Sequence, residues 1–163
     1  MNMDVPTLLT EWLCQIRVEI GSHYEAARRY EAYNSRLGYP TVILSAITGT
    51  AISSLADSPN MWLRGSAIGA SILVTILTSL AAFTQFSARA SAHKVAATEL
   101  GKLSRDIEVD LALGEPITRD MLDDFRNKRD ELGKSAPTIP DAIFQRHRIR
   151  AEKKLESKPV AKQ

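Results

Sequence analysis

Three histidines, one cysteine and a run of carboxylates are the side chains of this sequence whose types could ligate a metal, attack a substrate or move a proton. Their spacing argues for none of these. Cys14 has no second cysteine to pair with, and it lies on a segment expected to be cytosolic, where thiols stay reduced. His23, His93 and His147 are far apart and lack the Cys/His spacing of a metal site, so a surface or packing role is expected. Asp120, Asp123, Asp124, Asp130 and Glu131 alternate with Arg126, Lys128 and Arg129, the pattern of a solvated helix face with i,i+4 pairing. No Gly-rich phosphate loop is present. The basic run Arg146, Arg148, Arg150, Lys153 and Lys154 could meet nucleic acid, but beside a membrane it suits anionic lipid or water, and no nucleic-acid partner is expected. The residues thus predict no catalytic residue, no cofactor, no metal and no enzyme.

The elements that carry these residues are set by where charge is missing. At 44% hydrophobic and 25% charged, the average looks like that of a soluble protein, so only its distribution is informative. Leu37 to Ala56 and Gly65 to Ala88 contain no Asp, Glu, Lys, Arg or His. A bilayer core of about 30 Å needs about 20 such residues, and one Arg or Lys at its centre costs about 2.5–3.5 kcal/mol. Two membrane spans, at about 39–56 and 63–87, are therefore expected. A soluble protein could also bury such helices, but this chain offers no large shell to do so. A charged helical segment precedes the first run, so a cleaved signal is not expected.

Lys and Arg are retained on the cytoplasmic side, which fixes the orientation. Arg28, Arg29 and Arg36 precede the first span and Arg89, Lys94, Lys102 and Arg105 follow the second, whereas the connection holds only Arg64. Both termini are expected in the cytoplasm. Asp57-Ser58-Pro59-Asn60 is a turn sequence short enough to force the spans antiparallel, and Tyr39 and Trp62 stand where interfacial rings anchor.

Outside the spans the periodicity is helical. Leu9, Leu13, Ile16, Ile20, Tyr24 and Ala27 mark one apolar face within an N-terminal cytoplasmic segment, 1–36, and Gly38 with Pro40 predict a restart or kink at its end. Ala96, Leu100, Leu103, Ile107 and Leu111 carry the second span's helix on into the cytoplasm through a helical region at 89–132. Gly114-Glu115-Pro116 stops that helix, and Thr118 caps the next, with Ile117 and Leu122 as a staple. A linker at 133–140, a basic helix at 141–156 and a disordered tail at 157–163 complete the chain. The fold class read from this pattern is an all-α membrane protein: a two-transmembrane hairpin (37–88) with long amphipathic cytoplasmic helices, oligomeric because those helices have apolar stripes and few partners.

Within the second span Arg64, Ala67, Ser71, Thr75, Thr78, Ala82, Gln85 and Arg89 fall within about 40° of one line, since a helix turns about 100° per residue. Leu73, Ile76, Leu77, Leu80 and Phe83 lie on the other side, suited to lipid. The first span repeats the pattern weakly with Thr41, Ser45, Thr48 and Gly49, and Ile43 and Ile47 turned away. Such a stripe can be a packing surface, with Gly65 and Gly69 as a small-xxx-small pair. It can also line a wet conduit when several hairpins form a ring, with Arg at the mouths. A scaffold, a gated pore and, least supported, a membrane-bound enzyme are the functions left open.

The sequence also resembles a known family, the SLATT domains (SMODS and SLOG-associating two-transmembrane effectors). The likeness rests on Tyr24-Glu25-Ala26-Ala27-Arg28-Arg29-Tyr30, on Leu37-Gly38-Tyr39-Pro40 before a span reading ILSAITGTAIS, and on Ala136-Pro137-Thr138-Ile139-Pro140 before the last helix. The resemblance implies an effector of a bacterial conflict or antiphage defence system in the cell membrane. It would act downstream of a nucleotide-signal synthase or sensor and kill or arrest an infected cell through membrane pores. It implies no catalytic residues, and the chain has no nucleotidyltransferase signature or Rossmann-like pattern of its own.

Overall fold

Helix α1 spans Val5–Leu55, α2 Met61–Thr84, α3 Phe86–Leu113, α4 Arg119–Ser135 and α5 Asp141–Glu156, in a computed structural model that describes residues 4–55, 61–114 and 116–156. Among the described residues there is no strand. The turn expected at Asp57–Asn60 and the disordered tail expected after Glu156 lie outside them. The chain forms two units: one takes α1 up to Arg28 together with everything from Arg89 on, the other takes Arg29–Ala88.

The first unit is built on the apolar face of α1. Leu9, Leu13 and Ile16 are buried with Leu100, Leu103 and Ile107 of α3 and Phe125 of α4. Spacings of three and four on both helices place these side chains on facing stripes, and full burial of one Leu or Ile stabilises by about 1.5–3 kcal/mol. The stripe departs from expectation at its upper end, where Tyr24 is exposed and His23 is buried instead. A seam repeating every 3.5 residues steps from Ile20 to His23, whereas a straight helix of 3.6 points to Tyr24.

Ion pairs then tie each other helix of this unit to α1. Arg17 pairs with Glu108 of α3 at 2.9 Å, and Glu19 with Arg129 of α4 at 3.0 Å. Arg129 also donates to Gln15 and lies 6.0 Å from the centroid of the Trp12 ring. Glu25 receives Arg146 of α5 at 2.7 Å. Local signals set the ends of α4 and α5. The Thr118 hydroxyl accepts from the Met121 N–H, and Ile117 and Leu122 both pack on the core. Helix α4 runs on through Gly133 to Ser135, so the linker is shorter than expected and begins at Ala136, whose extended backbone leads into Pro137. The carbonyl of Pro140 accepts from Ile143 and Phe144 at the start of α5.

In the second unit α1 passes Pro40 without leaving the helical state, so of the restart or kink expected there the restart does not occur. The Thr41 hydroxyl donates to the Leu37 carbonyl at 2.7 Å, next to the turn that proline deprives of a donor. Phe86, just past the end of α2, meets Tyr30 and Tyr33 of α1 at ring-centroid distances of 6.1 and 5.6 Å. The expected continuous passage from the second apolar run into the cytoplasmic helix is broken at Gln85, which has φ of 48°. Its N–H donates to the Ala81 carbonyl, so it closes α2 with a left-handed cap of the kind glycine usually supplies, at a steric cost of roughly 1–2 kcal/mol.

The core assignment makes a contrast that can be measured. Ile107→Ala, at a position with no exposure, should destabilise the first unit by about 2–5 kcal/mol, while Val109→Ala, at a position 56% exposed, should change stability by no more than about 0.5 kcal/mol. Thermal unfolding of the solubilised chain, followed by circular dichroism, separates the two; equal losses would contradict this core.

Candidate functional site

In the second unit the half-buried positions of α2 are Ala67, Ala70, Ser71, Val74, Leu77, Ala81 and Thr84, and those of α1 between Leu37 and Thr50 are Leu37, Gly38, Thr41 and Leu44, with Thr48 fully buried. Steps of three and four on both helices are the spacing of a seam between them. Leu77 belongs to the seam rather than to the outer side where its phase alone would put it. Ile68, Ile72, Ile76 and Phe83 are exposed on the face of α2 turned away from the seam.

The polar stripe is therefore divided. Ser71 sits at the seam's edge, whereas Thr75, Thr78, Gln85, Arg64 and Arg89 are exposed. On α1, Thr48 is turned in, and Ser45 and Gly49 are exposed. Tyr39 and Trp62 are 71% and 90% exposed, available to a surrounding interface. A Cβ at Gly49, Gly65 or Gly69 would meet nothing within 4 Å, so packing within the described chain does not require glycine there.

The hydroxyls are satisfied locally rather than across helices. Ser45 donates to the Thr41 carbonyl at 2.8 Å, Ser71 to Ala67 at 3.0 Å and Thr75 to Ser71 at 2.9 Å. Back-bonding of this kind lets a hydroxyl face hydrocarbon, protein or water without an orphaned donor. Thr48 differs, since its hydroxyl is buried and has no hydrogen-bond partner among the described residues.

The first unit contains a group that sequence spacing concealed. His23 and His93 are 3% and 2% exposed, and their Nδ1 atoms are 2.9 Å apart. One ring must carry the Nδ1 proton while the other presents a bare Nδ1, so the contact requires at least one neutral imidazole. Burial, and then the charge of His93, lowers the His23 pKa to about 4; burial lowers that of His93 as well. The signal was legible in retrospect: stepping back from Leu100 by threes and fours reaches Ala97 or Ala96 and then His93, as stepping forward from Ile20 reaches His23. The third histidine, His147, has its Nε2 3.0 Å from Glu25 Oε2 and lies over Gly21, where a Cβ would stand 2.8 Å from the His147 Nδ1. Among the described residues no three His, Cys, Asp or Glu side chains converge on a metal position.

One helical stretch among the described residues, within Arg64–Leu113, is long and apolar enough to cross a membrane, and almost none of its apolar window is buried. A core helix of a soluble protein would be covered. The first apolar run, diluted by Tyr39, Pro40 and its many hydroxyl residues, is not among such stretches. With every described element helical and a long apolar helix uncovered, the chain falls in the class of small helical membrane-associated proteins. Its residues 20–143, well over half of its length, match the SMODS and SLOG-associating 2TM effector domain family 4, and the chain belongs to that family. The family is one of effector domains associated with SMODS and SLOG systems. No curated protein and no solved structure matches the chain significantly.

The histidine pair gives stability a definite pH dependence. Folded-state pKa values below the unfolded value of about 6.5 mean that the unfolded chain binds more protons between pH 6.5 and about 4. Stability is therefore fully present above pH 6.5 and falls as pH drops through that window, by on the order of 3 kcal/mol at its end. Glu108, whose carboxyl is held below its usual range first by hydrogen bonds from Arg17 and Ser104, loses its contribution only at lower pH, below about 4.5. The melting temperature should thus fall between pH 7.5 and 5 in the parent chain and stay flatter in His23→Leu/His93→Leu. Parallel pH profiles would show that the pair does not control it.

Proposed function

We propose that this chain is the membrane effector of a bacterial conflict or antiphage defence system. In this reading two transmembrane spans form a hairpin with both termini in the cytoplasm of a cell-membrane protein. Several hairpins assemble into a gated pore that depolarises the membrane and kills or arrests the cell. The chain does no chemistry of its own, and an upstream nucleotide-signal synthase or sensor supplies the trigger, whose differential binding must provide the energy of opening.

The observation that carries this reading is that Thr75 and Thr78 are exposed, Thr78 beside the seam position Ser71 and Thr75 at the border between that edge and the apolar face of Ile68, Ile72, Ile76 and Phe83. Two helices cannot enclose a conduit, so such a stripe needs further copies. The association with SMODS and SLOG systems supports the effector role. A second reading has its own support. Because Ser71 and Thr75 bond their own backbone, a dry interface between hairpins would also accept them, and the assembly would then be a scaffold that recruits a cytosolic partner.

Expression in bacteria with a membrane-potential dye separates the two. Wild type should depolarise the cell, and Ser71→Leu/Thr75→Leu should abolish depolarisation while keeping oligomer size by crosslinking. Thr75→Asp should be tolerated on a wet face and alter conductance, whereas at a dry interface the buried charge costs several kcal/mol and the oligomer falls apart. Loss of the oligomer in Thr75→Asp, or no depolarisation by well-inserted wild type with its upstream partner present, would favour the scaffold.

A further inference from the structure

The segment matched by the family begins at residue 20 and ends at residue 143, yet the chain is helical on both sides of it, from Val5 and through Glu156. Those flanks pack on each other. Where α5 lies on α1, two grooves open on either side, both floored by Cys14, Val18 and Ala151. Their walls differ in charge. One groove, of about 400 Å³, has Glu19 and Glu152 beside Arg148, and Arg148 is paired with Glu152 at 2.9 Å. The other, of about 350 Å³, is walled by Arg17, His147, Arg150 and Lys154, and among the described residues no carboxylate lines it.

We propose that this second groove binds the phosphate group of a small anionic ligand. Its volume lies in the range of small-molecule sites, roughly 300–1,000 Å³, and Val18 and Ala151 offer an apolar floor for the rest of such a molecule. Arg150 makes no ion pair among the described residues, so its planar donor set is open to two phosphate oxygens at once. Arg17 has spent one Nη2 contact on Glu108, and a guanidinium has five N–H donors. His147 is steadied by Glu25, which also holds Arg146 and so fixes α5 at the head of the groove. Arg17 comes from α1 and Arg150 and Lys154 from α5, so a bound phosphate would bridge two segments more than 120 residues apart in sequence, as Glu25 and His147 already are at 122. All seven lining residues lie outside residues 20–143, so the groove is a feature of this chain beyond the matched segment. A soluble phosphate ester and a lipid headgroup present the same chemistry to it.

The single cysteine of the chain reports occupancy, because Cys14 floors the groove and is half-buried. The full chain in a neutral detergent is treated with N-ethylmaleimide with and without sodium tripolyphosphate. Tripolyphosphate should slow modification of Cys14 at least threefold, saturably, and sodium chloride of equal ionic strength should not. Protection should vanish in Arg150→Gln/Lys154→Gln, and in Arg150→Gln alone should weaken several-fold, while Arg148→Gln on the opposite side keeps it. Both target positions are exposed, and circular dichroism confirms that each variant is folded. The source of the phosphate is read in nanodiscs. Protection by phosphatidylglycerol over phosphatidylcholine without soluble anion, lost in the double variant, assigns the groove to a lipid headgroup, and protection that needs tripolyphosphate assigns it to a soluble ligand. No slowing by either, equal slowing by chloride, or undiminished slowing in the double variant overturns the proposal. The readout involves no ion flux, so it succeeds or fails independently of the pore.

Discussion

The contact between the apolar stripe of α1 and that of α3 is the one on which the first unit depends. Leu9, Leu13 and Ile16 against Leu100, Leu103 and Ile107 supply its core, and α4 adds Phe125 to the same cluster. The charged ties from Arg17, Glu19 and Glu25 all radiate from α1 and lie at or near the surface, where each is worth at most about 1 kcal/mol. They orient helices that apolar burial has already brought together. The histidine pair continues the same seam into polar chemistry, and it holds because burial keeps the rings neutral.

The second unit obeys a different constraint. A helix that is to leave its apolar side uncovered must settle its polar groups within itself, and Ser45, Ser71 and Thr75 do so by donating to the carbonyl four residues back. That leaves the seam with α1 to small and branched side chains, and leaves the surface of α2 free to be divided between an apolar face and a polar stripe. Thr48 differs, a buried hydroxyl without a hydrogen-bond partner among the described residues.

Much of this was legible in the residues because it is local. The absence of charge over two runs, the 3–4 spacing of the cores and the Thr118 cap each follow from side chains within one or two turns. What was hidden depends on small differences or long distances. Whether His23 or Tyr24 faces inward turns on 3.5 against 3.6 residues per turn, and the same arithmetic draws Leu77 into the seam. No propensity marks Gln85 for a left-handed conformation, since glycine or asparagine is the usual signal. The charged groove joins residues from both ends of the sequence, and only the docking of α5 on α1 brings Arg17 beside Arg150. Conversely, Pro40 signalled a restart or a kink, and the helix runs through it without a restart.

The order of the units along the chain bears on how the protein is made. The second unit is contiguous, whereas the first is closed by contacts such as Arg17 to Glu108, 91 residues apart. At translation rates of about 5–20 residues per second, the apolar face of α1 waits on the order of five to twenty seconds for its partner to be synthesised. During that interval the nascent chain exposes a sticky amphipathic helix while the apolar runs between are already emerging. The second unit can therefore close from one continuous stretch of chain, whereas the N-terminal stripe finds its partner only once α3 has been made.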